Sequence, residues 1–141
     1  MSNKDQTVAI LQRLHSDRQA ATNFVRNPAS EWQALGGQLP AGVTPAQFSQ
    51  RVRGGAFFKE VEATANGQMS AMAWSPCITG LVFFLNALGI TGAVAATLAS
   101  VGVDVAIAAF MGYEVSVVQA TLATAGETTI LGIATLLCHG H

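Results

Sequence analysis

Residues 77–100 read CITGLVFFLNALGITGAVAATLAS, and they lie within a longer stretch, residues 63–103, that holds no Lys, Arg, Asp or Glu. How this stretch is covered from water decides the fold. It is long enough for a bilayer span, which needs about 20 apolar residues. Gly89 and Gly92 interrupt it, however, and residues 93–99 are only mildly hydrophobic. A further span would carry Glu114 into the bilayer centre, at a cost of roughly 2.5–3.5 kcal/mol on insertion scales. An all-α chain of short, glycine-punctuated helices is therefore expected, packed as an apolar bundle, with a membrane hairpin as the alternative. The candidate helices are 78–88, 92–101, 103–111, 114–124 and 128–138. Strict alternation over residues 101–107 keeps a strand open there, but abundant alanine favours helix. Thr124-Ala125-Gly126-Glu127 has the spacing of a capping box.

Every fourth residue from Gly92 onward is small or short: Gly92, Ala96, Ser100, Asp104, Ala108, Gly112, Ser116, Ala120, Thr124, Thr128 and Gly132. Small residues on a helix face let backbones approach, which is how helices associate without a hydrophobic driving force. A four-residue step drifts about 40° on a helix of 3.6 residues per turn. The stripe must therefore be divided among several helices. It suggests self-association, with a homo-oligomer or membrane lipid as partner.

Upstream the composition changes. All seven Lys and Arg lie in residues 1–62, as do Asp5, Asp17, Glu31, Glu60 and Glu62. Beyond residue 62 only Asp104, Glu114 and Glu127 carry charge. The chain thus divides into a charged helical region, 1–66, and an apolar region, 67–141. Nucleic-acid binding is not expected, because phosphate contacts need Lys or Arg. The basic residues in front are interspersed with acids and read as a solvated helix surface. Ile10, Leu11, Leu14, Ala21, Phe24 and Val25 predict one amphipathic helix of about 20 residues, ended at Asn27-Pro28. His15 falls on its polar side. A short helix is expected over 29–35, stopped by Gly36-Gly37. Thr44-Pro45-Ala46-Gln47 combines a capping threonine, proline at the first helical position and a reciprocating glutamine. That helix is expected to reach Arg53, with another over 57–63 and a turn at Asn66-Gly67.

Cys77 and Cys138 nearly bracket the apolar region. They suit either a disulfide or two buried thiols, and Thr135 stands at a spacing that a thioether ring would allow. Cys138-His139-Gly140-His141 contains metal-binding atoms, but no metal or cofactor is expected. An enzyme needs polar groups converging in a pocket, and the apolar region offers too few, so no catalysis is expected. The first 25 residues lack a continuous apolar core after a basic start. Any export is expected to use another route.

Phe24-Val25-Arg26-Asn27-Pro28-Ala29, Leu35-Gly36 and Thr44-Pro45-Ala46-Gln47-Phe48 together resemble the helical leader of bacterial ribosomally made peptide precursors. This leader class is likened to nitrogen-fixation-associated small proteins and to the small subunit of an extradiol dioxygenase. The resemblance covers residues 5–53. It implies a leader bound by a modifying enzyme or exporter, and a chain made in the cytoplasm, then secreted or held at a membrane. Gly54-Gly55 looks like a double-glycine cleavage site, although Ser49 departs from the usual apolar pattern; Gly67 is a second candidate. The apolar region is similar in size and helical pattern to bacteriocins that fold as bundles. Those peptides are usually cationic, and this region is anionic.

Overall fold

The computed structural model describes residues 3–40, 42–68, 75–89, 103–125 and 130–139. Among these, every regular element is helical. The amphipathic pattern at the start forms two helices instead of one, α1 (Asn3–Ser16) and α2 (Arg18–Arg26). Asp17 causes the break. Its backbone is extended, at φ −112° and ψ 106°, and its carboxylate accepts the N–H groups of Gln19 and Ala20 at 3.0 and 3.2 Å. A short acid that can bond the backbone two and three residues ahead favours a helix start over a helix interior.

Asn27 ends α2 and caps α3 (Pro28–Ala34), accepting the Ser30 N–H at 3.2 Å. Gly36 then takes φ +97°, so the Gly37 N–H reaches the Trp32 carbonyl at 2.9 Å. This left-handed stop satisfies carbonyls that the helix end leaves open. The capping box expected before α4 (Pro45–Arg53) forms in both directions, through Gln47 N–H to Thr44 Oγ1 at 3.1 Å and Thr44 N–H to Gln47 Oε1 at 3.0 Å. α5 (Ala56–Ala65) follows at once.

The apolar region contributes α6 (Pro76–Ala87), α7 (Val103–Met111), α8 (Val115–Ala125) and α9 (Ile130–His139). The alternation considered for a strand is resolved as helix from residue 103 onward. Ile107, Ala108, Phe110 and Met111 bury one face of α7, while Val105 stays exposed, as a 3.6-residue period requires. The helix expected over 92–101 and the 124–127 box, which needs Gly126 and Glu127, lie outside the described residues.

Among the described residues, two apolar clusters form the interior. One gathers α1 to α5 around Leu11, Phe24, Trp32, Phe48 and Val61. The other gathers α6 to α9 around Leu81, Leu85, Ile107, Val118 and Leu137. The division expected at residue 66 falls in the link between α5 and α6, but the packing crosses it. Phe83 and Ala87 of α6 belong to the first cluster, whereas Ile78, Leu81, Val82 and Leu85 belong to the second. α6 packs on α1, α4 and α9. A helix apolar all round can only be buried, and α6 meets this by having a bundle on each side. No helix among the described residues is long and apolar enough to cross a membrane.

The backbone hydrogen bond from Ala20, followed by that from Gln19 and the nearby Arg13, holds the Asp17 carboxyl below its usual range. A depressed folded pKa gives stability that is present above the unfolded value, about 3.9. It is lost as pH falls through the folded value. Asp17→Ala is therefore expected to lower the melting temperature at pH 7. Melts repeated down to pH 2 should show the two proteins converging.

Candidate functional site

The seam where the front helices meet α6 holds most of the unusual geometry. Phe83 projects into an aromatic cluster, with ring centroids 4.8 Å from Trp32 and 5.9 Å from both Phe48 and Phe57. Its neighbour Phe84 turns the other way and stacks on Phe110 at 4.3 Å with the ring planes 13° apart. Successive helical residues diverge by about 100°, so one dipeptide serves both bundles. α1 comes close to α6 at Gly80, where an added Cβ would stand 3.1 Å from Val8 Cγ2.

Beside the seam lies a cavity of about 280 Å³. Trp32 and Phe48 line it from the front bundle, Phe83 and Phe84 from α6, and Ala106 and Phe110 from α7. The segment 37–40 forms its rim. That segment is fixed by the Trp32 indole, whose Nε1–H donates to the Gln38 carbonyl at 3.1 Å, and which lies directly against Gly37.

The basic residues are not simply a solvated surface, which corrects the expectation from sequence. Three arginines reach across to carbonyls at the ends of other helices. Arg18 Nε donates to Ala65 O at 3.1 Å, ending α5. Arg53 donates to Arg26 O at 3.2 Å, ending α2. Arg51 donates to Ala87 O at 3.2 Å, ending α6. Each cation sits at the negative pole of a helix and satisfies a carbonyl without an intrahelical partner. His15 also departs from its expected solvated position. It is 6% exposed, with Nε2 3.2 Å from Glu60 Oε2 and its ring 5.2 Å from Phe57. The cluster ties the end of α1 to α5, helped by Thr64 Oγ1 donating to the His15 carbonyl at 3.4 Å.

Gly54 and Gly55 form the corner between α4 and α5. Their N–H groups donate to Arg51 O at 3.2 Å and Val52 O at 3.1 Å, and a Cβ on Gly55 would press within 2.8 Å of Asn86 Nδ2 on α6. Gly54 is exposed, but Gly55 is half-buried, so a protease reading both glycines would have to open the corner locally. Gly67 is placed differently. Residues 66–68 are all exposed, and Gly67 takes φ +83°, with Gln68 N–H closing onto Ala63 O at 2.8 Å. Exposed turns of this kind are where nicking concentrates.

Cys77 and Cys138 are joined in a disulfide, with Cα atoms 6.0 Å apart. It staples the first turn of α6 to the last turn of α9, beside the Tyr113 hydroxyl that donates to Leu137 O at 3.1 Å. Cys138 is therefore not a thiolate ligand, and among the described residues no cluster of metal-binding side chains occurs. Of the small-residue stripe, Ala108 is buried in α7, while Gly112, Ser116 and Ala120 are exposed at or beyond its end. Gly92, Ala96 and Ser100 lie outside the described residues. Asp104 is 8% exposed at the start of α7 and is held by the Val105 N–H at 2.9 Å and Gln119 Nε2 at 2.7 Å. A carboxylate at a helix N-terminus, bonded twice, tolerates burial that a bare charge would not.

No protein-family model matches the chain, and neither a curated protein nor a solved structure resembles it significantly.

Two losses of stability are expected, each measurable by urea denaturation. Phe83→Ala should cost about 3–5 kcal/mol, the range for emptying a buried aromatic site. Opening the staple with paired Cys77→Ser and Cys138→Ser should cost about 4 kcal/mol, because the bridge spans 61 residues and limits the unfolded chain.

Proposed function

We propose that the chain is the precursor of a secreted, bacteriocin-like peptide, in which the front helices keep the apolar region covered until export. One observation carries this reading: α6 gives one face to each bundle, with Phe83 and Ala87 sheltered by residues 10–61. A part recognised by a modifying enzyme or exporter would then have a second task. It holds the apolar α6 away from membranes and sister chains while the precursor is in the cytoplasm.

Three further features support the proposal. The exposed turn at 66–68 offers a protease a point between α5 and α6. A cut there releases a fragment without Lys or Arg. The Cys77–Cys138 bridge lies wholly within that fragment, and disulfides persist mainly in oxidising compartments. The fragment, freed of its cover, would engage membrane lipid through the exposed α6 face, by opening its bundle into a hairpin or by lying in the interface. It would also associate with copies of itself through the exposed small residues Gly112, Ser116 and Ala120.

A second reading, an uncut helical protein that assembles or attaches to membranes as it stands, is favoured by the Arg51 bond to Ala87 O and by Asn86 packing on Gly55. Both tie the halves together. Intact-mass measurement of the protein secreted by its native host separates the two readings. A species beginning near Gln68 and carrying the bridge is expected for the precursor. Recovery of uncut chain alone would overturn that reading in favour of the second.

A further inference from the structure

From the cavity beside Phe83 we infer that the uncut chain binds a small neutral ring compound at the seam between its two bundles. The inference goes beyond the maturation reading and does not depend on it, since it concerns the chain before any cut.

Size comes first. The cavity measures about 280 Å³. A dry apolar cavity of roughly 150 Å³ takes up benzene, so this one has room for a molecule of two fused or linked rings. Shape and polarity come next. Rings face it from both bundles: Trp32 and Phe83 on one side, Phe84 stacked on Phe110 on the other. Aromatic walls favour a flat occupant that can stack offset or edge-on. Gln6, Thr7 and Gln38 add uncharged polar side chains to the lining, enough to orient one N–H or O–H of a ligand. This is the usual composition of a small-molecule site, mostly apolar with a few polar groups.

Charge sets the selectivity. Among the described residues no Asp, Glu, Lys, Arg or His lines the cavity. An ionised ligand would lose its hydration there and gain no counter-charge. The site therefore selects neutral molecules over charged ones of the same shape.

The rim is built to keep this space open. Gln6 Nε2 donates to the Gly36 carbonyl at 2.6 Å, and the Trp32 indole donates to the Gln38 carbonyl. Together these bonds hold the 37–40 segment to α1 and α3 instead of letting it collapse inward. Because walls come from both bundles, a bound molecule touches both and stabilises their association.

The test uses the full, uncut chain and two probes with one ring system. N-phenyl-1-naphthylamine is neutral; 8-anilino-1-naphthalenesulfonate adds a negative charge. Titration is followed by energy transfer from tryptophan and by probe emission. Saturable binding of the neutral probe at one site per chain is expected, at least tenfold tighter than that of the sulfonate, together with a raised melting temperature. Ala106→Leu narrows the cavity from a half-buried position, and Ala109→Trp obstructs it from an exposed lining position on the same helix. Each should weaken the neutral probe at least tenfold while the helical circular dichroism is unchanged. If Ala106→Leu fails to fold, Ala109→Trp decides. Equal affinity for the two probes, or undiminished binding in a folded blocking variant, would overturn the inference.

Discussion

Burial of α6 on two sides is the constraint from which the rest of the molecule follows. Eight of its twelve residues are buried, and no single bundle could cover them, because buried side chains point in opposing directions. Phe83 and Ala87 need one partner surface, and Leu81 and Leu85 need another. The front helices supply the first largely with aromatic rings, and α7 to α9 supply the second with Phe110 and aliphatic side chains. Each bundle taken alone would be a small domain with a modest core, the size range in which stability is marginal. Sharing one helix lets each add to the burial of the other.

The charge asymmetry of the chain takes on a structural meaning in this arrangement. Helix ends leave carbonyls open, and a compact set of short helices has many ends. In the front bundle arginines close several of them over separations of 27 to 47 residues. Such bonds fix how helices are placed relative to one another, which glycine stops alone do not. The apolar region has no arginine or lysine of its own. Its helix ends rely on the Gly112 turn, the Tyr113 hydroxyl and the bridge between Cys77 and Cys138. Among the described residues, α6 alone borrows a cation, Arg51, from across the seam.

What could be read from the sequence was local. The capping box at Thr44 to Gln47 lies within four residues and needs nothing from the rest of the fold. The same holds for the stop at Gly36, and for the span of α7, where abundant alanine outweighed an alternation that also suited a strand. The split at Asp17 was also a local signal, a cap residue at the right place, but the apolar period running through it is continuous and hides the break. His15 illustrates the other class. The helical period placed it on the polar side, and it is buried against Glu60, 45 residues away, and Phe57. The arginine caps, the pairing of the two cysteines and the cavity at Phe83 are equally non-local. The cavity and the Arg51 cap depend on α6 bringing distant segments to one place, while the Arg18 and Arg53 caps join helices within the front bundle; no spacing within the chain encodes these meetings.

The shared helix bears on what a cut between the bundles can achieve. Breaking the chain at residues 66–68 removes a covalent link but no packing. Phe83 would remain among Trp32, Phe48 and Phe57, and Arg51 would still close the end of α6. Separating the pieces in water would expose the Phe83 and Ala87 face together with the front-bundle surface that covers it, and exposing apolar surface to water is unfavourable. Separation needs a competing environment that can accept the Phe83 face without the front bundle. A lipid interface is one, because it solvates aromatic rings and gives up nothing comparable in exchange. Under the proposed precursor reading, the front bundle would act as a cover that water keeps in place and a membrane displaces, with the cut making that displacement irreversible.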